Sequence, residues 1–138
     1  MTDTPATRAP ARFTAEIAAR SGELAAVRDD LRSWLRSRDA SPDLVVDVLL
    51  VVDEAMTNSV EHGYRGGVPG PVRVSAELGA TALLVVVSDD GCWRPPRPAP
   101  DSTRGRGLEI MRAVASAVRL DTSRGTTVSL TIPLDGVS

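Results

Sequence analysis

Residues 41–63 spell a single helix, and no other stretch limits the fold as much. Ser41-Pro42-Asp43 is a helix start: a side-chain cap, a proline at the first helical position and an acid in the first turn. Leu44, Val45, Val48, Leu49, Val51 and Val52 then cover much of the circumference, more than one apolar stripe requires. Such a helix has to be enclosed, so it belongs at the centre of a domain, ending at Gly63. Yet Glu54, Asn58 and His62 stand four apart along it, on one slowly drifting face. Carboxylate, amide and imidazole are costly to bury without partners, so that face meets either water or a ligand.

The flanking segments supply the enclosure. Ser21 reads as the N-cap of a helix to about Arg38, with Leu24, Val27, Leu31, Trp34 and Leu35 as its buried face. Residues 12–18 alternate weakly and suit an edge strand. Residues 72–78 and 82–88 read as a hairpin turning at Gly79-Ala80. Residues 107–117 read as a helix with Leu108, Met111 and Val114 or Ala115 inward, and residues 118–121 and 126–134 as a closing strand pair. The expected fold class is α+β: a two-layer sandwich in which about three helices cover one face of a mostly antiparallel sheet. Residues 1–11, rich in Thr, Pro and Ala, are expected to be disordered, and residues 12–138 to form one domain.

Composition narrows the chemistry. The chain has 138 residues and 42% hydrophobic content, enough for one core, and its net charge of −2 gives no reason to expect nucleic acid or an anionic membrane as a partner. All 16 basic residues are Arg. A Walker A loop and Schiff-base chemistry both require Lys, so both are excluded. Cys92 is the one cysteine, which rules out an intrachain disulfide and a Cys-based metal cluster and fits a reducing compartment. The N-terminus has no apolar signal-peptide core, and no apolar run approaches a membrane span. A soluble, cytoplasmic domain is expected.

Three further features accompany the polar stripe. Asp89-Asp90-Gly91 ends a buried strand, Gly105-Arg106-Gly107 opens a helix, and Gly125-Thr126 precedes the last strand. Each alone is commonplace: a turn, a helix start, a strand start. In this order and on these elements they resemble the GHKL (Bergerat-fold) ATPases, above all the anti-sigma-factor serine kinases of bacterial partner switching. DEAMTNSVEHGY matches the N box, VSDDG the first glycine box, RGRGLEIM the second and GTTVSLTIPL the closing strand, so the resemblance spans residues 13–134.

The resemblance implies ATP and Mg²⁺ as cofactors and phosphoryl transfer to a protein serine. Glu54 would be the general base and Asn58 the Mg²⁺ ligand. His62 would line the nucleotide pocket or serve structurally. Asp89 would accept from the exocyclic amine of adenine, with Gly91 allowing close backbone approach and Thr126 completing the pocket. Gly105, Arg106 and Gly107 would receive the phosphates at a helix N-terminus, with Arg104 adding charge. Arg28 on the first helix would dock the partner, or be an ordinary helical Arg paired with a neighbouring acid. The implied partners are an anti-anti-sigma (STAS) protein and a sigma factor, with a homodimer left open. A nucleotide-gated binding module, or a regulatory domain cut from a PP2C-type phosphatase, are the alternatives. A histidine kinase would need a phospho-acceptor His, and His62 is the sole His. One departure is plain: Trp93 stands where the family's first glycine box has its second Gly.

Overall fold

The computed structural model describes residues 11–63, 70–91 and 107–134, without the side chains of Ser21, His62 and Leu108. Residues 1–10 of the expected disordered segment, the loop with Cys92 and Trp93, and Arg104, Gly105 and Arg106 lie outside the described residues; Ala11, the last residue of that segment, is ordered, its carbonyl accepting from the N–H of Leu78 at 2.8 Å. The element order is β1 (Arg12–Ala18), α1 (Leu24–Ser37), α2 (Pro42–Asn58), β2 (Pro71–Leu78), β3 (Ala82–Asp89), α3 (Gly107–Val114), β4 (Ala117–Asp121) and β5 (Thr126–Pro133). The strands form one five-stranded sheet in the order β1-β2-β3-β5-β4, every pair antiparallel. β1 is an edge strand, as its weak alternation predicts.

Strand alternation decides which sheet face is covered. Val72, Val74 and Ala76 on β2, Leu83, Val85 and Val87 on β3, and Val128, Leu130 and Ile132 on β5 are buried. They form three adjacent apolar rows under the helices. The expected buried face of α1 is buried in full, as are Val48, Val51, Val52, Ala55 and Met56 of α2. Trp34 of α1 reaches Phe13 of β1 with ring centroids 6.0 Å apart and planes tilted by 45°, which fastens the edge strand to the helical layer. This is the α+β sandwich expected from the sequence.

Three boundaries differ from expectation. Ser21 does not cap α1: residues 21–23 form a 3-10 turn, and the cap position falls to Glu23, which makes no side-chain capping bond. The central helix does reach Gly63, but its last five residues, Ser59–Gly63, wind as a π-helix, a rare geometry frequent at functional sites. α3 stops at Val114, three residues before the expected end. There the backbone N–H of Ser116 donates to the carbonyl of Thr131 at 2.8 Å, so strand pairing with β5 overrides the helical pattern.

Capping elsewhere follows the sequence. The Ser41 hydroxyl accepts from the N–H of Leu44 at 3.1 Å, with Pro42 at the first helical position. Between α1 and α2, Asp39 adopts φ = 62°, and the N–H groups of Asp39 and Ala40 reach the carbonyls of Arg36 and Leu35, each at 3.0 Å. That is a Schellman closure with Asp where Gly is usual.

Candidate functional site

The inward row of β3 runs Leu83, Val85, Val87 and then Asp89, and that of β5 begins with Thr126. Asp89 and Thr126 are register partners, so a carboxylate and a hydroxyl sit side by side at the end of an apolar surface. Asp89 is only 2% exposed. A buried carboxylate needs donors, and it has two. The hydroxyl of Ser59 donates to Oδ2 at 2.5 Å, and the backbone N–H of Gly91 donates to Oδ1 at 2.9 Å. A carboxylate offers about four lone-pair positions, so acceptor capacity remains for a ligand.

Thr126 completes this corner. It is buried, and its Oγ1 has no hydrogen-bond partner among the described residues. A buried hydroxyl of that kind costs free energy unless something else satisfies it. Gly125, just before it, has φ = +69°, and a Cβ there would stand 2.1 Å from the carbonyl oxygen of Asp89. Only glycine lets β5 start so close to the end of β3.

Ser59 brings the central helix into the site. It follows Asn58 directly, so its bond to Asp89 fixes the end of α2 over the end of β3. Glu54 and Asn58 lie one turn apart on α2, and both are half-buried, neither packed into the core nor fully in water. The sequence reading did not single out Ser59. The signal was present: Ser59 continues the inward row Val48, Val52, Ala55 at helical spacing, a polar residue on a stripe otherwise apolar.

The remaining expected residues divide. Gly91 is buried and bonded to Asp89, and Gly107 is the first residue of α3, which packs on α2. Gly105 and Arg106 lie outside the described residues, as does the side chain of His62, although His62 itself sits in the π-turn. Arg28 projects from α1 to α2 and pairs with Asp53 at 2.6 Å, both side chains partly exposed. Asp90 is exposed and accepts from Nη1 and Nη2 of Arg73, at 3.1 and 2.9 Å. Those bonds hold its carboxyl below the usual carboxylate range. The two adjacent acids thus separate: Asp90 in a surface ion pair, Asp89 in the buried corner.

The corner suits an adenine-type base. Asp89 can accept from an exocyclic amine, and the Thr126 hydroxyl, without a partner among the described residues, can bond a ring nitrogen or a bridging water. Among the described residues no cluster of three His, Cys, Asp or Glu side chains could hold a metal ion. Mg²⁺ beside phosphates needs only one or two protein oxygens, and the Asn58 amide can supply one.

Comparison with known proteins gives the family. Residues 17–132 match the family model described as the histidine kinase-like ATPase domain. The anti-sigma F factor of Bacillus subtilis is 30% identical over 128 residues, covering 84% of this chain and 88% of that protein. The serine-protein kinase RsbW of the same organism is 29% identical over 108 residues, 68% of each chain. The crystal structure of the RsbU and RsbW domains of Rv1364c from Mycobacterium tuberculosis superposes with a TM-score of 0.71 at 29% identity, covering 89% of this chain and 32% of that longer one. The chain belongs to the histidine kinase-like ATPase family.

Proposed function

We propose that this protein is an ATP-dependent serine/threonine kinase of a partner-switching system. It binds and phosphorylates an anti-anti-sigma (STAS) protein and sequesters a sigma factor. The observation that carries the nucleotide half of this reading is the corner at the end of β3: Asp89 held by Ser59 and Gly91 beside the hydroxyl of Thr126, which has no partner among the described residues. The similarity to an anti-sigma F factor and to a serine-protein kinase supports the protein-directed half.

Each role follows from chemistry at a stated atom. The Asp89 carboxylate accepts from the adenine amine, where guanine presents a carbonyl and would meet two acceptors. The Asn58 side-chain oxygen would hold Mg²⁺, whose charge would offset that of the triphosphate. The backbone N–H groups at the start of α3, with Gly105 and Arg106, receive phosphate oxygens. A Glu54 carboxylate oxygen accepts the proton of the incoming serine hydroxyl as its oxygen bonds to the γ-phosphorus and the bond to ADP breaks. A purely nucleotide-gated binding module needs no such base, which favours the kinase. Arg28 would exchange its intramolecular partner Asp53 for a carboxylate of the docked protein.

The test is to incubate the protein with labelled ATP, Mg²⁺ and recombinant STAS proteins and to look for phosphoserine or phosphothreonine. Transfer that depends on Mg²⁺ and is not competed by GTP is expected. ATP binding without transfer to any of them would leave the binding module as the better reading.

A further inference from the structure

We propose that the outer ridge of α2, formed by Val46 and Leu50, is the surface on which the acceptor protein docks to bring its hydroxyl to Glu54. The inference rests on the kinase reading above and extends it to a specificity surface. Val46 and Leu50 are 63% and 45% exposed, the two most exposed large apolar side chains among the described residues. They lie one turn apart on the helix that carries Glu54 and Asn58.

Their position on that helix gives the ridge its meaning. At about 100° per residue, Leu50 stands about 40° from Val46 on one side and about 40° from Glu54 on the other. Asp53 lies about 60° from Leu50 in the opposite direction from Glu54. Asp53 is the residue that holds Arg28 on α1. Leu50 therefore separates the α1 side of α2 from the side that leads to Glu54 and Asn58. A protein that touches both must cross Leu50.

Size leads to the same conclusion. Residues four apart on a helix are separated by about 6 Å along the axis, so Val46 is about 12 Å from Glu54. A standard interface covers about 800 Å² per partner, a disc of about 16 Å radius. An acceptor interface of that size centred on Glu54 therefore covers Leu50 and reaches Val46. A small-molecule acceptor would need neither residue.

The charges beside the ridge indicate what the acceptor presents. A groove of about 340 Å³ between α1 and α2 is lined by Arg32, Arg36, Val45, Val46 and Leu49, among others. Arg32 is paired with Asp29 at 2.9 Å, whereas Arg36 is paired with no carboxylate among the described residues. The occupant that fits is the acceptor protein, with an apolar side chain over Leu50 and Val46 and a carboxylate toward Arg36. The other exposed apolar residues do not compete for this role: Leu84 faces out from the uncovered sheet face and Leu120 lies on the β4 edge.

The experiment uses the full chain and the STAS protein that accepts phosphate in the assay above, with Leu50→Asp, Val46→Asp and, as a control for exposed apolar area, Leu84→Asp. ATP affinity, KM for the STAS protein and kcat at saturation are measured for each. The expected result is a KM raised at least tenfold by Leu50→Asp and several-fold by Val46→Asp, with ATP affinity and kcat unchanged and Leu84→Asp near wild type. An unchanged KM in both ridge variants would overturn the ridge and leave the kinase reading standing. Loss of ATP affinity in both would overturn it too, by making the ridge part of the nucleotide site. So would a wild-type dimer that both variants dissociate, since a second copy would then own the surface. A wild-type protein that binds ATP but phosphorylates no STAS protein would remove both proposals together.

Discussion

Replacing Thr126 by Val should make the protein more stable and a weaker nucleotide binder at once. The two side chains have nearly the same shape, so the variant exchanges the hydroxyl for a methyl at a site that is 9% exposed and faces the apolar row of β5. In the free protein that hydroxyl has no partner among the described residues, and an unsatisfied buried polar group costs about 1–3 kcal/mol. Its removal should recover much of that, raising Tm by roughly 3–5 °C per kcal/mol for a chain of this size. When nucleotide is bound, the wild-type hydroxyl gains the partner it lacked and that penalty of about 1–3 kcal/mol is relieved, so the variant, which has no such penalty to relieve, should bind roughly 5- to 150-fold more weakly. The loss should be equal for ATP and ADP, because the contact is with the base and not the γ-phosphate. Thr126→Ala separates the terms: it also deletes a buried methyl, worth about 1 kcal/mol, so its gain in Tm should be smaller or absent. Differential scanning calorimetry and titration calorimetry on the three proteins suffice. A Thr126→Val protein that melts lower than wild type and binds ATP equally well would refute the reasoning, since the hydroxyl would then be satisfied within the fold and unused by the ligand.

Other outcomes follow from the same geometry. Glu54→Gln should keep ATP binding while transfer falls by roughly 10²–10⁴-fold, and Asn58→Ala should weaken Mg²⁺-dependent ATP binding itself; transfer and binding assays on the pair distinguish base from metal ligand. Asp39→Gly should stabilise by up to about 1 kcal/mol, because φ = 62° is strained for a residue with a Cβ, and thermal melting reads the gain. The carboxyls of Asp90 and Asp121 are both held low, by Arg73 and by the Ser123 backbone N–H and hydroxyl respectively. A folded pKa depressed below the unfolded one gives stability that is present above the unfolded value and lost as pH falls through the folded one. Melting temperatures should therefore drop as pH falls below about 4, and Asp90→Asn with Asp121→Asn should flatten that slope.

Periodicity made the core legible. The buried faces of α1 and α2 and the inward rows of β2 and β5 can be read from spacing, because burial enforces periods of 3.6 and 2; that of β3 cannot, since residues 83–87 are apolar throughout and read as a fully buried run, whereas Leu84 is exposed. The boundaries at Glu23, Ser59 and Val114 could not be read that way, since each is decided by a partner distant in sequence or by a turn geometry local propensity does not encode. Ser116 leaves the helix because β5 offers it a carbonyl, and nothing within residues 107–117 announces that. The candidate site was legible as a set of motifs, but not as an arrangement. Asp89 and Thr126 are paired by strand register, and Ser59 lies on the buried row of the helix, where its partner is 30 residues away and leaves no local mark. The Arg28–Asp53 pair joins residues on two helices and carries no short-range signature.

The corner made by Ser59, Asp89 and Thr126 draws on segments 30 residues apart between Ser59 and Asp89 and, through strand pairing, on β5. It exists only while α2 rests on the sheet and β3 is zipped to β5. Nucleotide can therefore slow only those opening motions that break this corner, by a factor of 1 + [ligand]/Kd. β4 lies at the sheet edge with most of its side chains exposed, and it can detach without disturbing any of the three residues. In amide hydrogen exchange, saturating nucleotide should deepen protection across α2, β3 and β5, while the outer strand continues to exchange through its own local fraying.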